Sequence, residues 1–192
     1  MYKKYFKRLF DLTFSLILIL TLFPIMIFLF FLVWIFIGFP IFKQKRPGLN
    51  DKIFTLYKFK TLFDTTKSMS EKKRQNIVGN FLRKTGLDEL PQLFNVLKND
   101  MSLVGPRPLL VEYLKKYSAY EKRRHLVKPG ITGLAQVNPQ PSGVKSWKKS
   151  IKLDVYYITK ISFILDIKII YKTIELVVFN KKQYKDFKKF YE

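Results

Sequence analysis

Between Leu12 and Ile37 the chain reads LTFSLILILTLFPIMIFLFFLVWIFI, 26 positions without a charged residue. A run of that length predicts a membrane helix. Pro24 stands in its middle, where a proline removes a backbone hydrogen bond and crowds the preceding turn. Each half is then about 12 residues, roughly 18 Å at ~1.5 Å per residue. That is short of a ~30 Å hydrocarbon core. Lys3, Lys4, Lys7 and Arg8 precede the run, and Lys43, Lys45, Arg46 and Lys52 follow it. Positive residues favour the cytoplasmic side, and here both flanks ask for it. The pattern predicts a re-entrant hairpin over residues 1–40, broken at Pro24, in preference to a kinked span. A secretory signal is excluded, because the run is too long and no small-residue cleavage site follows.

Beyond the run the period changes. PIFKQKRPGLNDKIFTLYKFKTL predicts two short strands around a Pro47-Gly48 turn, with Ile53, Thr55, Tyr57 and Phe59 on one face and Phe54, Leu56, Lys58 and Lys60 on the other. FDTTKSMSEKKRQNIVGN is polar and reads as a surface loop or loose helix. Leu110, Leu114, Tyr117 and Glu121 recur at helical spacing and predict a helix over 107–127. KPGITGLAQVNPQPSG, rich in Gly and Pro, predicts an irregular loop. From Lys145 to Phe179, lysines alternate with bulky apolar residues at helical intervals, which suits amphipathic helices in a membrane interface. The tail NKKQYKDFKKFYE continues the basic, aromatic pattern and suits anionic lipid. The expected fold is mostly α with a small β element (α+β). It divides into the membrane hairpin (1–40), a small cytoplasmic catalytic region (41–145), and interfacial helices with a basic tail (146–192).

Composition narrows the chemistry. Lys and Arg total 36 against 14 Asp and Glu, a net charge of +22, so the partner is anionic: nucleic acid, anionic lipid or a phosphorylated substrate. There is no Cys and a single His, His125, which excludes disulfides, thiol nucleophiles and polyhistidine metal sites. A metal would be a hard, oxygen-liganded one such as Mg²⁺.

Within this basic chain, RKTGLDELPQLFNVLKNDMSLVGPRPLL holds its one pair of adjacent acids, Asp88 and Glu89. Pro91 suits the first position of a helix, so the pair falls at or before that helix's first turn. Acids there can simply stabilise the helix dipole, for ~0.3–1 kcal/mol. They can also work. Neighbouring helical residues point ~100° apart, so the two can serve different tasks, such as nucleophile and metal ligand. Arg83 and Lys84 stand just upstream, and Arg107 sits between two prolines in GPRP; arginine matches phosphate geometry with a bidentate fork. A carboxylate, cations and Mg²⁺ make a phosphoryl-transfer set.

KQKRPG, YKFKT, LRKTGLDELPQLFNVLKNDMSLVGPRPLL and KPGITGLAQV, in that order after a proline-centred apolar run, resemble the bacterial sugar transferase family of polyprenyl-phosphate phosphoglycosyl transferases. The likeness runs from about Tyr2 to Phe179. The short length, with no extra N-terminal domain, is similar to the minimal monotopic members that carry N,N′-diacetylbacillosamine 1-phosphate. The resemblance implies transfer of a sugar 1-phosphate from a UDP-sugar to undecaprenyl phosphate, with release of UMP, as the first membrane step of glycan assembly. The donor implied is UDP-N,N′-diacetylbacillosamine or another N-acetylated sugar. It implies Mg²⁺, a re-entrant membrane helix in the bacterial cytoplasmic membrane, contact with membrane phospholipid, and a catalytic region on the cytoplasmic face. It implies Asp88 as nucleophile, forming a covalent phosphosugar intermediate. Glu89 is its partner, with Glu89 and Asp88 the metal-ligand candidates. Arg83 and Arg107, then Lys58, Lys60 and Arg46, are expected at substrate phosphate. Asp154 and Asp166 also match family motifs, with structural roles expected, and His125 is expected packed or solvated. Phe23 stands where members often have Ser, NPQPSG replaces the usual continuation after GLAQV, and Gly86 replaces a usual Ser, which suggests a looser loop before Asp88.

Other readings stand beside this one. A membrane-anchored basic binding protein would explain the charge but not the acid pair, and no nucleic-acid reader motif is present. A bitopic adaptor, the same chemistry with a hexose donor, and a homodimer are further possibilities.

Overall fold

The structure is a computed structural model and describes residues 2–64, 74–138 and 144–179. A wide helical turn over Tyr2–Phe6 leads into α1 (Lys7–Ile37), a 31-residue helix that runs without interruption through Pro24. The break expected at Pro24 is therefore not formed. A proline deletes one hydrogen bond, and in an apolar helix nearby hydroxyls can satisfy freed backbone groups. The bond lost at Pro24 is the one to the Leu20 carbonyl; one turn earlier the Thr21 hydroxyl donates to the carbonyl of Ile17 at 2.9 Å, with that of Leu18 at 3.3 Å, and the helix carries on past the single gap. Buried residues bracket the proline instead: Phe10, Asp11, Ser15 and Ile19 before it, Met26, Leu29, Val33 and Ile37 after it. The outer face, with Phe14, Ile17, Phe28, Phe31 and Ile35, is exposed. By length and composition α1 is able to cross a membrane.

α1 is followed by an antiparallel hairpin, β1 (Ile41–Pro47) and β2 (Ile53–Phe59), in which Lys58 opposes Phe42 and Lys45 opposes Thr55. α2 (Ile77–Thr85) is capped by Asn76, whose side chain accepts from the Gly79 N–H at 2.6 Å. A β-carbon on Gly79 would lie 1.9 Å from the Thr61 carbonyl oxygen, so only glycine lets α2 seat against the end of the hairpin. Gly79→Ala is expected to cost ~1–3 kcal/mol, the usual range for overpacking; thermal unfolding in detergent measures it, and an unchanged midpoint would mean α2 is free to move away.

α3 (Gln92–Leu97) follows the acid pair, and Pro91 sits directly before it. β3 (Ser102–Val104) pairs in parallel with β4 (Gly130–Thr132), and α5 (Leu134–Val137) follows β4. The loop expected over 128–143 thus contains a strand and a helical turn; residues 139–143 of it lie outside the described residues. The helix expected over 107–127 is broken into short turns, with only α4 (Ala119–Lys122) α-helical. Two prolines hold its start extended, and Ser118 restarts the chain with a capping box to Glu121.

α6 (Val144–Lys160) and α7 (Phe163–Phe179) close the fold. α6 departs from the interfacial reading, because Ile151, Leu153, Val155, Tyr157 and Ile158 are buried in the core, while Lys148, Lys149, Lys152 and Lys160 are exposed. α7 keeps an exposed apolar stripe at Ile164, Ile167, Tyr171 and Ile174. The basic tail falls outside the described residues. Phe10 and Ile19 of α1 share one apolar cluster with Leu93, Val96, Leu134, Tyr157 and Ile169, so all three expected segments contribute to a single core. A second cluster packs Met26, Val33 and Ile37 on Phe59 and Leu82.

The start of α1 is stitched to α7 and the core by charge. Asp166 accepts from Lys7 at 2.6 Å and from the hydroxyls of Tyr2 and Tyr157 at 2.7 Å. Asp11 accepts from the backbone N–H of Leu103. The Arg8 guanidinium donates to the carbonyls of Val96 and Leu97, the exposed end of α3.

Candidate active site

The acid pair lies in a single tight turn, Leu87–Glu89, between α2 and α3. Gly86 makes the entry: its φ of +69° is the left-handed conformation that ends α2 and reverses the chain. Glycine here fixes the approach to Asp88, where the sequence suggested a looser loop. On the other side, Asn95 of α3 clamps β2. Its amide donates to the Thr55 carbonyl at 2.7 Å, and its oxygen accepts from the Tyr57 N–H at 3.1 Å. Asn95 is fully buried, and this clamp sets Lys58 against the acids; nothing in its spacing marked it in advance.

Glu89 Oε1 accepts from Lys58 Nζ at 2.6 Å and from Arg107 Nη2 at 2.7 Å. Lys58 Nζ lies 3.8 Å from Asp88 Oδ2. The two acids are thereby differentiated. Burial opposes ionisation of Glu89, but Arg107 and Lys58 outweigh it and hold its carboxyl below the ordinary value. Burial pushes Asp88 up, with Lys58 opposing and the Glu89 charge adding to the rise. Glu89 is a fixed anion that carries two cations; Asp88 is the more basic carboxylate, with Lys58 at 3.8 Å and no hydrogen-bonded cation among the described residues.

These groups line a cavity of about 460 Å³. All seven residues singled out in the sequence reach it: Arg46, Lys58, Lys60, Arg83, Asp88, Glu89 and Arg107. Arg83 donates from Nε to the Thr61 hydroxyl at 2.8 Å, Lys60 pairs with Asp64 at 2.6 Å, and Arg46 donates to Gln44 and to the Pro108 carbonyl. Arg74 also lines the cavity and was missed, because the polar stretch around it carries no period. Six cationic side chains against three acidic ones make the cavity a seat for a multiply charged anion.

Arg107 is held from behind. Its carbonyl accepts from Arg124 Nη2 at 2.7 Å, and the same guanidinium binds Asp154 Oδ2 at 2.7 Å and the Tyr117 hydroxyl at 2.8 Å. Arg124 and Asp154 are both buried. Asp154 thus has a structural role, with Arg124 as its partner, and Asp166 is structural at the chain ends. His125 is buried beside Tyr117, bonds to Asp51, and is not among the residues lining the cavity.

A long apolar helix resting on a small α+β body, with an acid pair set in a cationic cavity, makes an arrangement able to seat a multiply charged anion beside a helix long and apolar enough to cross a membrane. The chain belongs to the bacterial sugar transferase family, whose sequence model matches residues 2–180. It is similar to the uncharacterized sugar transferase EpsL of Bacillus subtilis, 49% identical over 177 residues, or 90% of this chain and 87% of that protein. It is also similar to the undecaprenyl-phosphate glucose phosphotransferase of Komagataeibacter xylinus, 36% identical over 93% of this chain and 37% of that one. The undecaprenyl-phosphate galactose phosphotransferase of Salmonella typhimurium is 33% identical over 91% of this chain and 41% of its own length. The chain therefore spans well under half of these last two relatives.

Proposed function

We propose that the chain moves a sugar 1-phosphate from a UDP-sugar to undecaprenyl phosphate at the cytoplasmic face of the bacterial cytoplasmic membrane, releasing UMP. The observation that carries this reading is Asp88, a buried carboxylate among six cationic side chains, with Lys58 and Arg107 locked on its neighbour Glu89. An Asp88 oxygen attacks the phosphorus that bears the sugar. The bond from that phosphorus to the UMP phosphate oxygen breaks, and UMP leaves with the electron pair. The product is a mixed anhydride of Asp88 and the sugar phosphate. An oxygen of the polyprenyl phosphate then attacks the same phosphorus, and Asp88 leaves as carboxylate. The arginines and lysines of the cavity offset the like charges that would otherwise keep carboxylate and diphosphate apart.

The residues fit Mg²⁺. This ion is commonly held by one or two carboxylates plus substrate phosphates, and among the described residues there is no group of three His, Cys, Asp or Glu that could hold a metal alone. Asp88 and the Glu89 oxygen not taken by Lys58 and Arg107 would hold it, and the bound ion would neutralise diphosphate charge.

Both ends of α1 touch the same body: Lys7 binds Asp166, and Ile37 packs with Phe59 and Leu82. A helix held at both ends lies along the body with its apolar outer face turned to lipid, which is compatible with basic flanks on one side of the membrane and would hold Asp88 near headgroup depth. The relatives' names mention glucose and galactose, which favours a hexose donor over an N-acetylated one.

UMP release by the full chain in nanodiscs, with undecaprenyl phosphate, Mg²⁺ and UDP-glucose, UDP-galactose, UDP-N-acetylglucosamine and UDP-N,N′-diacetylbacillosamine in turn, tests the reading. Acceptor-dependent release with one donor is expected. Silence with every donor, from folded and membrane-inserted protein, overturns it.

A further inference from the structure

The alternation of the β1–β2 hairpin that aims Gln44, Arg46, Lys58 and Lys60 at the acid cavity sends Lys45, Ile53, Thr55 and Tyr57 to the opposite face. There they line a second, separate pocket of about 590 Å³. Four lysines surround it, Lys45, Lys52, Lys98 and Lys128, with a single acid, Asp100. None of the four forms an ion pair among the described residues. Three are instead fixed by neutral oxygens: Lys45 on the Thr55 hydroxyl at 3.0 Å, Lys98 on the Tyr57 hydroxyl at 3.2 Å, and Lys128 on the Asn99 side-chain oxygen. Such partners orient an ammonium group without cancelling its charge. The backbone is shaped around the same spot. The described non-glycine residues with positive φ are Asn50, Asp51 and Asn99; Asn50 and Asn99 line this pocket. Asparagine takes this conformation readily, and at Asn99 it ends α3 and turns the chain beside Lys98.

The neighbourhood identifies the ligand. Tyr57 and Lys98 also line an apolar groove of about 770 Å³, whose other wall is Phe23, Met26, Phe30 and Phe31 of α1. Arg8, at the start of α1, binds the carbonyls next to Lys98. The lysine pocket therefore sits where the basic flank of α1 meets the hydrocarbon depth of its middle. We propose that this pocket binds the phosphate of an anionic phospholipid, with an acyl chain lying in the groove. The proposal rests on the membrane seat of α1 and is independent of the transfer reaction.

Native mass spectrometry of the full chain, taken from nanodiscs of phosphatidylcholine mixed with phosphatidylglycerol, tests it. The wild type is expected to retain one phosphatidylglycerol selectively. A Lys45→Ala/Lys98→Ala/Lys128→Ala variant should lose on the order of a hundredfold in that preference, and Lys98→Gln alone several-fold. Insertion into phosphatidylcholine nanodiscs and cooperative unfolding, compared between variants, separate loss of the pocket from loss of the fold or of the membrane seat. Three results overturn the proposal: equal retention by wild type and Lys98→Gln, equal stabilisation of the wild type by inorganic phosphate alone, or displacement of the phospholipid by undecaprenyl phosphate.

Discussion

Asp88→Asn should reduce UMP release by about 10⁴-fold or more, the scale seen when a nucleophile is removed from a set that acts as a unit. The amide keeps the shape of the carboxylate and removes its charge, so stability should stay within ~1 kcal/mol. The second readout is mass. Wild-type protein given UDP-sugar without acceptor should gain the mass of one sugar phosphate, and the variant should gain nothing. Residual release within tenfold of wild type would place the nucleophile elsewhere. The pH profile carries the same information. Asp88 must be ionised to attack, and burial lifts its pKa above the ordinary carboxylate value while Lys58 pulls it back. Activity should therefore fade as pH drops through that raised value. In Lys58→Met the fading should begin at higher pH, since the opposing charge is gone.

Asp154→Leu should be among the most damaging changes outside the cavity. It strands the buried Arg124 guanidinium without its carboxylate. Uncompensating one member of a buried pair typically costs ~3–5 kcal/mol, which for a chain of this size lowers the melting temperature by roughly 10 °C. Pairing Asp154→Leu with Arg124→Met should return most of the stability, because an apolar pair of similar volume fills the site. Activity should not return with it. Arg124 also grips the Arg107 carbonyl at 2.7 Å, so the double variant leaves Arg107 free to drift from Glu89. Stable protein with unimpaired transfer would mean that this grip is dispensable. Acid adds a signature. Burial pushes the Asp154 carboxyl up to about 6, against Arg124, above its ordinary value of 3.8. The folded chain then binds a proton more readily than the unfolded chain. The contribution of this group to stability should rise as pH falls from 6 toward 4, a trend absent in Asp154→Leu.

Much of the site was legible because its residues are short-range in pattern. Strict alternation in YKFKT put Lys58 and Lys60 on one strand face, and both reach the cavity. The lone acid pair before Pro91 marked the turn that carries Asp88. The supports were hidden, since they depend on contacts between distant segments. Asn95 looks like any polar helical residue until β2 lies against it. Arg124 sits in a basic run, RRH, that reads as solvated surface, yet it is almost fully buried. The helix expected over 107–127 failed because apolar spacing was weighed above the stiff prolines and the Ser118 restart. The lysines of α6 suggested a membrane surface, while the residues between them, Ile151, Leu153, Val155 and Tyr157, belong to the core. The break expected at Pro24 failed because a single lost hydrogen bond does not end a 31-residue apolar helix: α1 runs through it, and only the buried stripe lapses between Ile19 and Met26.

The pairing of Lys7 with Asp166 spans 159 positions of sequence. A ribosome adding ~5–20 residues per second needs on the order of 10–30 s to cover that distance. The apolar helix emerges first and reaches the bilayer long before its anchoring carboxylate exists. During that interval its apolar surface alone can hold it in a membrane. α7, the last of the described helices to be made, then delivers Asp166 and locks the first, so a nascent chain truncated before residue 166 should remain membrane-bound but unlatched.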